Sequence, residues 1–145
     1  KVMSEYLKEI IRLKGQISKM EATLSDEKFL SKAPHNVIEI NKKKLSYFNN
    51  VLNRTMDELV GATRRRFNHD DGLEGIDAVD RITWYLQWLR DGKLLVGEHF
   101  DFTQEIDYSK CEFDEKYFNY IYKTNATQEE LAELCDLTDK LKKYA

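Results

Sequence analysis

The chain has one proline and six glycines among its 145 residues. Sandwiches and barrels need frequent turns, so this scarcity argues against an all-β fold. Its two cysteines, Cys111 and Cys135, lie far apart and neither has a CxxC partner. That disfavours a disulfide scaffold or a zinc site and reads as two reduced thiols in a cytosolic, hence cytoplasmic, protein. There is no run of about 18 apolar residues, so no membrane-spanning helix is expected. No secretory pattern is present, and the first residue, Lys1, suggests a fragment of a longer chain. A phosphate-cradling glycine loop, a nucleophile elbow and a cysteine–histidine pair are all missing. No catalytic residue, cofactor or metal is therefore expected.

What the chain does have is charge. Charged residues make up 34%, high for a globule and usual for long exposed helices, while 41% apolar residues suffice for a core. The net charge of −3 hides an asymmetry: residues 1–66 hold 14 Lys and Arg against 8 Asp and Glu, and residues 67–145 hold 9 against 18. Such a split suggests two surfaces with two partners, or two halves that attract each other.

Met3, Tyr6, Ile10, Leu13, Ile17, Met20 and Leu24 alternate spacings of three and four, the seam pattern of a coiled coil. Gly15 interrupts the helix at an outward position, at a cost of about 1 kcal/mol in propensity. This helix is expected to end near Phe29–Ser31. Pro34 then pushes Ala33 out of helical geometry and suits the first turn of the next helix. There Ile38, Asn41, Leu45, Phe48, Leu52, Thr55 and Leu59 repeat the same spacing to about Arg66. Two such helices with a short connection predict an antiparallel hairpin over residues 1–66. Asn41 and Thr55, polar residues on the seam, are expected to fix register.

FNHDDGLEG (67–75) is turn chemistry. Asp71 or Glu74 can start a third helix, bearing Ile76, Val79, Ile82, Thr83, Leu86 and Leu89 and ending at Asp91-Gly92. Its Trp84 and Trp88 are expected in the core. KLLVGEHFDF (93–102) reads as a short strand, an extended segment or a helical turn. A short helix capped by Asp114 is expected through Tyr122. Thr127 with Glu130 forms a capping box opening a last helix to about Tyr144. The whole predicts an all-α protein: an antiparallel coiled-coil hairpin (1–66) followed by a small acidic helical domain (67–145).

LSDEKFLSKAPHNVIEINKKKLSYFNNVLNRTMDEL (24–59) resembles the C-terminal coiled-coil arm of bacterial-type valyl-tRNA synthetases. The specific element is the F-x-x-KAP turn, here Phe29, Lys32, Ala33 and Pro34. Leu24, Glu27, Leu30, Val37, Ile38, Glu39, Lys44, Leu45 and Leu52 also fit the family pattern. Asn36, Ile40, Asn41, Asn49 and Asn50 depart from it, and the tyrosine that usually follows KL is displaced to Tyr47. The resemblance covers about residues 3–60 and brings none of the synthetase's catalytic machinery. It implies a non-enzymatic binding module whose arm lies along the outer corner of structured RNA such as tRNA. Contact would be to phosphates and to A-form shape. The residues it would use are Lys28 and Lys32 near the tip, Lys42, Lys43 and Lys44 in the second helix, and Arg64, Arg65 and Arg66 at its base.

Two other readings compete. The hairpin with its acidic domain could be a protein-interaction or regulatory module, binding a basic partner or mimicking nucleic-acid charge. Alternatively, Glu112-x-x-Glu115 and Glu133-x-x-Asp136 could hold Mg²⁺ against a nucleotide phosphate, as in all-α nucleotide pyrophosphohydrolases. A solvated acidic face explains the same residues. His69-Asp70 is similar to a phosphohydrolase dipeptide, but only His35 and His99 could complete it. The tyrosines of EKYFNYIYK (115–123) could stack on bases; acidic neighbours favour core packing for them instead.

Overall fold

Helix α1 spans Met3–Leu24, α2 Glu27–Lys32 and α3 His35–Phe67. Helix α4 follows at Gly75–Asp91, strands β1 and β2 at Cys111–Asp114 and Asn119–Tyr122, and α5 at Gln128–Leu141. Single 3₁₀ turns sit at Tyr108–Lys110 and Lys142–Tyr144. This computed structural model describes residues 1–67, 75–91, 108–116, 118–122 and 124–144. The expected loop at 68–74 and the ambiguous segment 93–102 lie outside the described residues. The fold is all-α, with one small two-stranded sheet among the described residues.

The hairpin forms from the two heptad stretches as expected. Ala33 is extended, with φ −72° and ψ 141°, the geometry a following proline imposes. The Pro34 carbonyl accepts the first helical bonds, from the Val37 and Ile38 N–H groups. Residues Lys1–Ser4 lie beside Ala62, Arg65 and Arg66, so the two long helices run antiparallel. The first helix stops sooner than expected, at Leu24. Ser25 breaks it and Asp26 starts α2 by accepting a hydrogen bond from the Lys28 N–H at 3.0 Å. An aspartate N-cap there outcompetes continuation of α1.

The seam positions of α3 are all half-buried or buried. Asn41 and Thr55 do not act as register pins across the seam. The Asn41 amide donates to the Val37 carbonyl at 2.9 Å, and the Thr55 hydroxyl to the Val51 carbonyl at 2.8 Å. Each thus satisfies its polar group within its own helix.

Burial changes along the hairpin. From Ser18 through Val51 no residue is fully buried: there the two long helices cover only each other, with α2 at the tip. Toward the base, Met3, Tyr6, Leu7, Ile10, Leu13 and Ile17 of α1 are buried with Leu52, Met56, Leu59, Ala62 and Phe67 of α3. They share one apolar cluster with Val79, Ile82, Tyr85, Leu86 and Leu89 of α4 and Leu131, Leu134, Cys135, Leu137 and Leu141 of α5. Helix α5 packs on α1 and α4, and α4 on α3. Tyr85 donates its hydroxyl to the Phe67 carbonyl at 3.1 Å, and their rings meet edge to face. Leu7 is completely buried although it is not a seam residue. It and Ile11 sit on the flank where Lys8 meets Glu133 of α5, at 3.6 Å.

Three expectations for the C-terminal part are overturned. Cys111–Asp114 and Asn119–Tyr122 pair as antiparallel strands in place of a helix opened by Asp114, with Phe113 opposite Tyr120. Phe113, Tyr120, Ile121 and Tyr122 are aromatic or β-branched, the residue types that fit a pleated strand and its cross-strand pairs. The Asp114 carboxylate accepts from the Lys116 N–H at 2.8 Å, making a turn rather than a helix cap. Phe118 holds a positive φ of 50°. Among the described side chains here, Phe118, Phe113 and Tyr120 are exposed, at 84%, 46% and 38%, rather than core. Trp84 is not core either, at 53% exposure, although Trp88 on the next turn of α4 packs partly against the cluster.

Candidate nucleic-acid interface

The eight candidate cations fall into three groups along the hairpin. Lys28 and Lys32 stand one helical turn apart on α2, both exposed. Lys42, Lys43 and Lys44 are exposed on α3, but consecutive helical residues point about 100° apart. They therefore fan around the helix instead of sharing a face. Lys42 turns back to Glu39 at 3.6 Å, an exposed pair worth little in water. Arg64 and Arg65 are exposed at the far end of α3, about 30 Å from Lys44 by helical rise.

Arg66 is different. Its guanidinium donates to the Asn125 side chain and lies 3.0 Å from the Glu130 carboxylate, with its plane over the Phe67 ring. It ties α3 to the start of α5. Glu130, expected as half of a capping box, is thus also the partner of Arg66; Thr127 still caps α5 by accepting from the Glu130 N–H at 3.1 Å. Arg65 lines a cleft of about 470 Å³ between the start of α1, the end of α3 and α5, where Glu130 and Glu133 face it. The base group is therefore partly neutralised by acids, and the tip and middle groups are the more accessible cations.

Sequence reading missed several polar residues of α3. Residues 40–56 contain no Asp or Glu, yet hold Lys42, Lys43, Lys44, Arg54 and four asparagines. An ordinary solvated helix alternates acids with bases. Replacing the acids by uncharged amides leaves a positive stretch whose nearest acids on the helix, Glu39, Asp57 and Glu58, lie at its two ends. That gap was the available signal, and it brings in Arg54, Asn50 and Tyr47, all exposed.

The remaining candidate chemistry is not assembled. Glu112 sits on β1 and Glu115 in the turn after it, while Glu133 and Asp136 are exposed on α5. Among the described residues no three His, Cys, Asp or Glu side chains come close enough to hold a metal ion. His69 and Asp70 lie outside the described residues. Both cysteines are free and buried. Burial pushes the Cys135 thiol up, against the pull of Arg90, so it is not primed as a nucleophile. Burial likewise lowers the Lys14 ammonium, opposed by Asp80 of α4.

A helical hairpin with exposed cations, packed at its base against an acidic helix, is thus what the geometry defines. Residues 4–61 match the family described as the valyl tRNA synthetase tRNA binding arm. The match starts in the first turn of α1 and ends six residues before the end of α3, covering less than half of the chain. No curated protein and no solved structure matches the chain. Among the described residues, no helix is long and apolar enough to cross a membrane.

Proposed function

We propose that the protein is a non-enzymatic binding module whose hairpin contacts structured RNA such as tRNA, in the cytoplasm. The observation that carries this is the match of residues 4–61 to a tRNA binding arm. The exposed cations Lys28, Lys32, Lys42, Lys43, Lys44, Arg64 and Arg65 support it, standing on a rigid helical lever. Each lysine or arginine that meets a phosphate displaces a condensed counterion, so affinity falls with salt. Arg66 serves this module by fixing the lever to α5, not by touching RNA. In this reading residues 67–145 are a second unit whose helices brace the arm.

The test is affinity for bulk tRNA measured across salt concentrations. Binding that weakens steeply with salt is expected, as is a large loss in the triple variant Lys42→Glu, Lys43→Glu, Lys44→Glu. A salt-independent affinity, or no loss in the triple variant, rejects the proposal. A protein-interaction role is the second reading, favoured by the exposed aromatic rings of the β-hairpin. Phe113 contacts Phe118 and Tyr120 edge to face at 5.6 and 5.3 Å, in a setting with Glu112 and Glu115 exposed. A protein partner that survives nuclease treatment, and is lost in Phe118→Ser, would support that reading.

A further inference from the structure

Two residues beyond each seam position of α3 lies a position about 200° around the helix, facing away from α1. From Ile38 to Leu52 the positions so reached are Ile40, Lys43, Tyr47, Asn50 and Arg54, and all are exposed. They form one stripe at spacings of three and four along the middle of the arm. Tyr47 at its centre is 63% exposed and Ile40 is 50% exposed. The stripe lies within residues 40–56, which have no acid.

The acidic elements are elsewhere. Helix α5, with Glu129, Glu133, Asp136 and Asp139 exposed, packs on α1 and meets Lys8 there. Helix α4 joins α3 at its far end, through Tyr85 and Phe67. The two sides of the hairpin therefore differ in charge. A polyanion approaching the α1 side meets the carboxylates of α5, whereas the outward side of α3 offers Lys43 and Arg54 and no acid until Asp57, one turn beyond Arg54.

We infer that RNA lies along this outward face of α3, and that the Tyr47 ring stacks on a base that the RNA leaves exposed. The inference rests on the RNA-binding reading above and specifies its surface and its ligand. The hairpin's packing does not require a tyrosine at Tyr47, which faces water on the side opposite the seam. Its neighbour Phe48 meets it edge to face at 5.8 Å, and Tyr47 stays 63% exposed beside that contact. Lys43 stands one turn before it and Arg54 two turns after it, placed to reach phosphates on both sides of a stacked base. Asn50, one turn on, carries both a donor and an acceptor for a base edge or a 2′-hydroxyl. A continuous A-form duplex keeps its bases stacked and has no face to give. The ligand class is therefore RNA with an unpaired or terminal base, as in the loops of a folded RNA.

The experiment compares binding of bulk tRNA and of a long, fully paired RNA duplex, across salt, for the full chain and five variants, the triple lysine reversal among them. Tyr47→Ala is expected to weaken tRNA binding about tenfold, within the range for loss of one base–aromatic stack. Its salt slope stays unchanged, its duplex binding stays unchanged, and Tyr47→Phe restores tRNA affinity. Arg54→Gln weakens both RNAs and lowers the salt slope by about 0.9, one phosphate contact. Lys8→Gln, on the α5 side, changes neither. Should the triple lysine reversal abolish binding while Tyr47→Ala and Arg54→Gln leave it intact, RNA binding stands and this face is wrong. If the wild-type chain binds neither RNA, both readings fall. A protein partner retained through Tyr47 after nuclease treatment also overturns the inference.

Discussion

Individual side chains decide how tightly α1 fits its neighbours. A Cβ added at Gly15 would lie 3.4 Å from the Tyr144 hydroxyl, an ordinary contact, so the position has room for one methyl group. Gly15→Ala is therefore expected to stabilise the protein by about 0.5–1 kcal/mol through helix propensity, read as a raised denaturation midpoint. Larger residues would push Tyr144 away. Lys14, one position earlier, is half-buried. Burial holds its ammonium below its ordinary value of 10.5, and Asp80 offsets only part of that. The unfolded chain then binds more protons between the two values, so this group's contribution to stability rises with pH through that window and is unfavourable below it. Lys14→Met keeps the apolar stem and removes the charge. It should raise the melting temperature at pH 7, and the difference from wild type should shrink as the pH is taken toward 10.5. A difference that stays constant with pH would mean that packing, not charge, is responsible.

Elements differ in how firmly their neighbours hold them. Beyond Ile17 and before Leu52 the hairpin has no fully buried residue, whereas α5 is embedded in the shared cluster. Amide exchange should be fastest in α2 and the adjoining ends of α1 and α3, and slowest around Leu7, Leu59 and Leu131. Uniform protection along α1 would contradict this gradient. At the start of α5, Thr127→Ala removes a cap bond and should cost about 1 kcal/mol, measured by denaturant unfolding. These elements also show what a sequence can carry. Heptad spacing, the KAP turn and the Thr127 cap are local patterns, and each was legible because its cause lies within a few residues. Leu7 was not, since its burial depends on α5, more than a hundred residues later. The β-hairpin was missed because an aspartate before polar and aromatic residues can open a helix or a turn. Only the pairing of Phe113 with Tyr120 and the left-handed Phe118 decide between them. That left-handed residue costs about 1 kcal/mol and places an aromatic side chain in solvent. Of the proposed interface, the basic positions were suggested by the resemblance. The face was not, because it depends on which side of the hairpin α5 covers.

Across the whole molecule, the base of the arm and the C-terminal helices share one apolar cluster. The family match ends at residue 61, but the packing does not: Ala62 and Phe67 are buried beyond it, and Leu7 is buried away from the hairpin's seam. A chain cut after Phe67 would lose α4 and α5 and expose that surface. Exposed apolar area of this kind is covered by self-association or lost with the fold. The fragment 1–67 is therefore expected to run as an oligomer or aggregate in size-exclusion chromatography and to melt without a sharp transition, while the full chain melts cooperatively. Its tip would keep the cations, but without a braced base the lever would not present one fixed face to the proposed RNA ligand. The pairs joining Arg66 to Glu130 and Lys8 to Glu133 cross the same boundary and are largely surface contacts. Breaking them singly should cost less than about 1 kcal/mol each. Leu7→Ala, which opens a cavity in the shared cluster, should cost about 2–5 kcal/mol. If the fragment proves monomeric with a sharp melt, or if Leu7→Ala costs no more than the ion-pair variants, the C-terminal helices are an attachment to the arm and not its brace.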